Sequence, residues 1–228
     1  MKVGVSKMVP KFSSKFLESM LIVLRVTRGL QFDLSRFAAI REALAPQFPR
    51  VEHVTSDYTG LGMSFMFNRP MGMELVSERR DLRVHFQDYQ VSLRWQSRRQ
   101  GDSYPGFASM RESFSTCVNA LPPETEVTSV ALTYVNQLDR EISASEILTP
   151  DLLPGQGLHG SLLDFNCRWS LKEEMEYRLE VLTAQGPTRF ATTGAMPCEL
   201  ASALSKLDEV HSIMHDLLPQ AIFFNMYE

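Results

Sequence analysis

YPGFASMRESFSTCVNALPPETEVTSVALTYVNQLDRE, residues 104–141, is the stretch whose reading decides the fold. Phe107, Met110, Phe114, Cys117, Val118 and Leu121 recur at helical spacing, so one face of a helix is apolar and needs a cover. Pro105 suits a first helical position, where its missing N–H has no intrahelical partner, and the pair Pro122-Pro123 ends the helix. The run VALTYV at 130–135 is β-branched or apolar on both alternating faces, which predicts a central strand covered on both sides rather than a sheet edge.

Moving towards the N-terminus, Val91, Leu93 and Trp95 alternate with Gln90, Ser92, Arg94 and Gln96, the period-two pattern of a half-buried strand over 90–96. Shorter strands are predicted over 82–86, 73–77, 62–68 and 51–55. Before them, DLSRFAAIREALAPQFP gives a helix with Asp33 as its cap and Phe37, Ile40 and Leu44 as its stripe, stopped by Pro46 or Pro49. A strand over 21–26 precedes that helix, and residues 1–15 form a polar, lysine-dotted lead-in expected to be flexible. Towards the C-terminus, strands are predicted over 162–171, 177–184 and 189–193, the last two joined by a Gln185-Gly186-Pro187 turn. A final helix over 199–218 carries Leu200, Ala203, Leu204, Leu207, His211 and Met214 on one stripe.

These elements define an α+β protein: an antiparallel sheet with about three packed helices, in a single domain over 16–228. Phe37, Ile40 and Leu44 stand in the same relative places as Phe107, Met110 and Phe114. That spacing suggests two related β-α-β-β-β halves, 16–89 and 90–228; any two amphipathic helices beside strands would also read this way.

The chain has 228 residues, 44% of them hydrophobic and 22% charged, which is globular composition and long enough for a sizeable core. A net charge of -4 argues against nucleic acid as a partner, because such proteins show a basic domain or stripe. Cys117, Cys167 and Cys198 are too few and too scattered for a disulfide framework or a zinc site, and they fit a reducing cytoplasm. The apolar run at 16–26 is broken by Glu18 and Arg25 and is too short to span a membrane.

Motifs that carry chemistry are sparse. Gly155-Gln156-Gly157-Leu158-His159-Gly160 matches G-x-G-x-x-G. Pro154 precedes it and a strand-like run follows, whereas dinucleotide binding needs a strand before and a helix after, so the segment reads as a surface loop. His211 and His215 are four residues apart with Asp208 one turn earlier, a spacing that can bring two imidazoles to one metal. The glutamate of H-E-x-x-H is missing, so a metal-dependent hydrolase is the weakest reading and a hydrogen-bonded, partly buried His211 the stronger one. Asp139, Arg140 and Glu141 could supply acid–base groups but read as a charged turn. Asn136 is a buried polar residue expected to fix a loop. No cofactor is expected.

Arg79, Arg80, Arg83, Arg94, Arg98 and Arg99 cluster on the middle strands, either as an ordinary solvated face or as a basic face for an anionic partner. With Phe223 and Phe224 of the apolar tail AIFFNMYE, Arg94, Arg98 and Arg99 are the candidate partner surface. Twelve methionines suit an adaptable apolar surface or core filler equally.

Four segments, RVHFQDYQVSLRW, YPGFASMRESF, ALTYVNQLDR and LDEVH, resemble a sporadically distributed family of uncharacterised bacterial proteins. Those proteins carry a YPxW-type helix start, a TYxNxI-type strand and a C-terminal LDxAH-type helix. The resemblance extends over 21–228 and departs at Phe107, where tryptophan is commoner, and at Leu138. It implies a bacterial cytoplasmic protein and brings no activity with it. Patchy occurrence of the family points to an accessory or chaperone-like component of a phage-defence or toxin-antitoxin operon, acting by non-catalytic binding of a protein partner or as a homo-oligomer. The alternative is a small-ligand-binding domain using the cleft between helices and sheet.

Overall fold

The computed structural model describes residues 17–27, 34–54, 72–87, 89–97, 103–138, 164–171, 174–182 and 188–221. The expected strand over 62–68, the glycine-rich loop, Asp139 to Glu141, the Gln185-Gly186-Pro187 turn, Arg98, Arg99, Phe223 and Phe224 lie outside them. Nine strands form one wholly antiparallel sheet: β1 (Leu17–Val26), β2 (Arg50–Val54), β3 (Gly72–Val76), β4 (Leu82–Gln87), β5 (Gln90–Gln96), β6 (Val127–Gln137), β7 (Asp164–Ser170), β8 (Glu176–Leu182) and β9 (Arg189–Pro197). Their order is β2-β3-β4-β5-β1-β6-β9-β8-β7. Among the described residues three α-helices accompany them, α1 (Leu34–Leu44), α2 (Phe107–Asn119) and α3 (Ala203–Ala221). The α+β architecture with an antiparallel sheet and three helices follows from the alternation read in the sequence.

At the centre, β1 runs antiparallel to both β5 and β6. Counting outward from the β1–β6 pair, β5 and β9 take equivalent places, then β4 and β8, then β3 and β7. Helix α2 follows β5, and α3 follows β9 through a single 3-10 turn at Leu200–Ser202.

Alternation sorts the side chains of each strand onto two faces. Met20, Ile22 and Leu24 of β1, Val91, Leu93 and Trp95 of β5, and Val130 and Leu132 of β6 are buried on one face. They share a single cluster with Ile40 and Leu44 of α1, Met110, Phe114 and Cys117 of α2, and Leu207, Val210 and Met214 of α3. All three helices therefore cover the same side. Gln47 Nε2, just past α1, donates to Ser113 Oγ on α2 at 2.5 Å and ties the two helices together. Gly194 on β9 lets α3 approach closely: a Cβ there would lie 2.6 Å from Met175 Cε, 2.7 Å from Met214 Sδ and 2.8 Å from Val210 Cγ1.

Details differ from the sequence-based expectations. Gly106, at φ 90° and ψ 154°, caps α2, a conformation open to glycine, so Pro105 stands ahead of the cap and not at the first helical position. Strand β1 begins four residues earlier than expected and β9 continues to Pro197. Strand β6 is central, but Ala131, Thr133 and Val135 on its second face are only half-buried. No helix among the described residues is long and apolar enough to cross a membrane.

Candidate functional site

The face of the sheet opposite the helices has a floor of small side chains. Ser129, Ala131, Thr133 and Val135 of β6 lie beside Ala191, Thr193 and Ala195 of β9 and beside Ser19, Leu21 and Val23 of β1. Thr133 and Thr193 are directly opposite and share a hydrogen bond at 2.9 Å. Long charged side chains stand on both flanks. In register through Thr133 and Thr193, one row reads Arg168, Arg178, Thr193, Thr133, Leu21, Arg94, Arg83. The next reads Glu176, Ala195, Ala131, Val23, Ser92, His85, Glu74, Glu52. Arginines thus line one row, while carboxylates end the neighbouring one.

Those rows neutralise each other in part. Arg178 pairs with Glu180 at 2.5 Å, Arg168 with Glu176, and Arg83 with Glu74, which also lies 3.2 Å from His85 Nε2. Arg189 reaches Glu18 at 3.2 Å. Arg94 is exposed and directly opposite Arg83, whose charge Glu74 and Glu52 already meet. Among the described residues, neither Arg94 nor Arg25 has a carboxylate partner. Between Arg25 and the β7–β8 flank lies a trough of about 740 Å³ whose lining includes Ser129, Ala131, Thr193, Asn166, Arg168 and Arg178. No helix of the described residues lies on this face.

The expected histidine site is on the other side, under the helices. His211 stacks on Phe107 with ring centroids 3.7 Å apart and planes 14° from parallel. Its Nδ1 shares a 2.9 Å hydrogen bond with the Tyr134 hydroxyl. Tyr104 donates to Met20 Sδ at 2.8 Å and meets Trp95 edge-on. Burial pushes both phenols above their ordinary range, and burial, reinforced by neighbouring His215, holds His211 below its usual value. This keeps all three groups neutral near pH 7. The His215 ring centroid is 6.5 Å from that of His211, and Asp208 is paired with Arg111 at 2.5 Å. Thus His211 gives Nδ1 to tyrosine and Asp208 gives its carboxylate to arginine. No group of three or more His, Cys, Asp or Glu able to hold a metal ion occurs among the described residues. The arrangement joins α2, α3 and β6.

Of the candidate surface residues, Arg94 alone lies among the described residues, and the structure places it beside a face that the sequence reading had covered. Nothing in the sequence pattern singles out Arg25, Arg168, Arg178 or the threonine pair for this face. The small-residue alternation of Ser129-Ala131-Thr133, with Val130 and Leu132 between them, carries a signal for the floor; Ala191-Thr193-Ala195, with Thr192 and Gly194 between them, carries none.

No protein-family model matches the chain, and no curated protein matches it. Among solved structures, a Methanococcus jannaschii TBP is similar at a TM-score of 0.25 and 10% identity, over 90% of this chain and 98% of that one.

Proposed function

We propose that this protein is a non-catalytic binding module that receives a protein partner on the face of its sheet opposite the three described helices. Its setting in this reading is the cytoplasm, as an accessory component of a bacterial defence or toxin-antitoxin operon. The observation that carries the reading is the small-residue floor of β9, β6 and β1 between charged flanks. A sheet face turned to water usually bears long polar side chains at its centre, where alternation places them at no packing cost. Here they stand only at the margins, and Leu21, Val23 and Val135 are left at the middle. Arginine, which stands beside this floor, is the charged residue that interface cores retain.

Native mass spectrometry on protein purified from its host with neighbouring genes intact tests this. A discrete additional protein mass is expected, and it should vanish with Thr133→Arg, which fills the floor while leaving the helix-facing core alone. A complex that survives Thr133→Arg would place the partner elsewhere and overturn the reading.

A second reading, small-ligand binding between helices and sheet, has one observation of its own. Asn136 and Thr192 are buried on the helix-facing side, and Asn136 Nδ2 and Oδ1 and Thr192 Oγ1 have no hydrogen-bond partner among the described residues. A small co-purifying mass lost with Asn136→Leu would favour it.

A further inference from the structure

We propose that the occupant of the face opposite the described helices is a single amphipathic helix of a protein partner, carrying two carboxylates about two turns apart that meet Arg25 and Arg94. The inference rests on the reading of that face as a docking surface and adds the chemistry of what docks. Three observations carry it.

The first is width. From β9 across β6 and β1 to Ser92 on β5 there are three interstrand steps, about 14 Å at the usual strand spacing. A helix with its side chains is about 10–12 Å across, so one helix fills the floor and two do not. Along β6, Ser129 to Val135 extends about 20 Å, room for about 13 helical residues.

The second is that Arg25 and Arg94, both on this face, have no carboxylate partner among the described residues. Arg94 is opposite Leu21, and Arg25 is four residues further along β1, which sets their Cα atoms about 14 Å apart. Helical carboxylates at i and i+7 or i+8 are about 10.5–12 Å apart along the axis, and the two flexible side chains take up the difference. Each new pair would be a charge-assisted hydrogen bond.

The third is the sign pattern of the flanks, which selects protein over nucleic acid. A duplex carries one negative charge per about 1.7 Å of its axis. Such a polyanion would meet Glu176 and Glu180 on one side and Glu52 and Glu74 on the other. A helix with separate carboxylates meets the arginines and avoids those glutamates.

The test places a photoreactive benzoylphenylalanine at Ala131 in the full chain, irradiates the host cells and sequences the cross-linked segment by mass spectrometry. The segment is then synthesised and titrated against the purified chain. Expected is a segment that becomes helical on binding, with two carboxylates at i and i+7 or i+8, and with affinity reduced about tenfold by Arg25→Glu and by Arg94→Glu. Lysine placed at the matching carboxylate should restore binding to the corresponding variant. A cross-linked protein segment that is not helical, or that binds both variants unchanged, overturns this inference and leaves the docking face standing. Cross-linking to nucleic acid or to a second copy overturns it as well. No cross-link at Ala131 while the native complex persists overturns the docking face itself.

Discussion

At His211 one side chain couples the helices to the sheet, and its chemistry sets a pH dependence. The folded protein holds His211 below its ordinary value, chiefly by burial, so the unfolded chain takes up a proton more readily. Stability from the neutral ring is then complete above about pH 6.5 and is lost as the pH falls from there through the folded value. The urea midpoint should drop between pH 7 and pH 5, and His211→Gln should flatten that drop; an unchanged slope would mean that other groups dominate. Tyr134→Phe removes the hydroxyl from Nδ1 and should cost about 0.5–1.5 kcal/mol. By contrast, Arg111 and Asp208 are both more than one-third exposed, so Asp208→Ala should cost under about 1 kcal/mol. Asn136 presents the opposite case, a buried amide whose two polar atoms have no partner among the described residues. Asn136→Leu should raise the unfolding free energy by about 1–3 kcal/mol, since an apolar residue of similar size carries no desolvation penalty.

At the scale of elements, the contact between α3 and β9 depends on the missing side chain of Gly194. Met175 and Met214 can swing their ends away from a new methyl, whereas Val210 is stiff at χ1. Gly194→Ala should therefore destabilise by about 1–3 kcal/mol, read as a shift of the denaturant midpoint at constant slope. The same elements show what periodicity reveals and what it hides. Strand β5 matched its expected limits because Val91, Leu93 and Trp95 alternate cleanly with polar neighbours. In β6 the VALTYV run suggested cover on both sides, because alanine, threonine and valine are as common in a buried strand as on a floor made of small residues. Pattern alone gives a residue's face, not what stands over it. His211 was legible as a core-side histidine from its helical stripe, but its partners Phe107 and Tyr134 are 104 and 77 positions away in sequence. Long-range pairing of that kind leaves no local trace.

For the whole molecule, an antiparallel sheet with its first strand at the centre makes folding depend on distant pairings. Refolding after dilution from denaturant should occupy milliseconds to seconds and not microseconds, as contact order dictates; stopped-flow fluorescence of Trp95 and Trp169 would record it. Reducing agent should leave the midpoint unchanged, because Cys117, Cys167 and Cys198 are all free thiols, and burial pushes the Cys117 thiol up to about 12 and the Cys198 thiol up to about 11. Synthesis adds a timetable to this topology. Strand β1 emerges first and gains β5 on one side once Gln96 has been made, but its other side waits for Asn136 at the far end of β6. At about 5–20 residues per second, the ribosome leaves that edge bare for about 2–8 s. During those seconds the nascent chain offers an unpaired apolar strand to anything nearby, and a codon-level pause between 97 and 136 would lengthen the exposure.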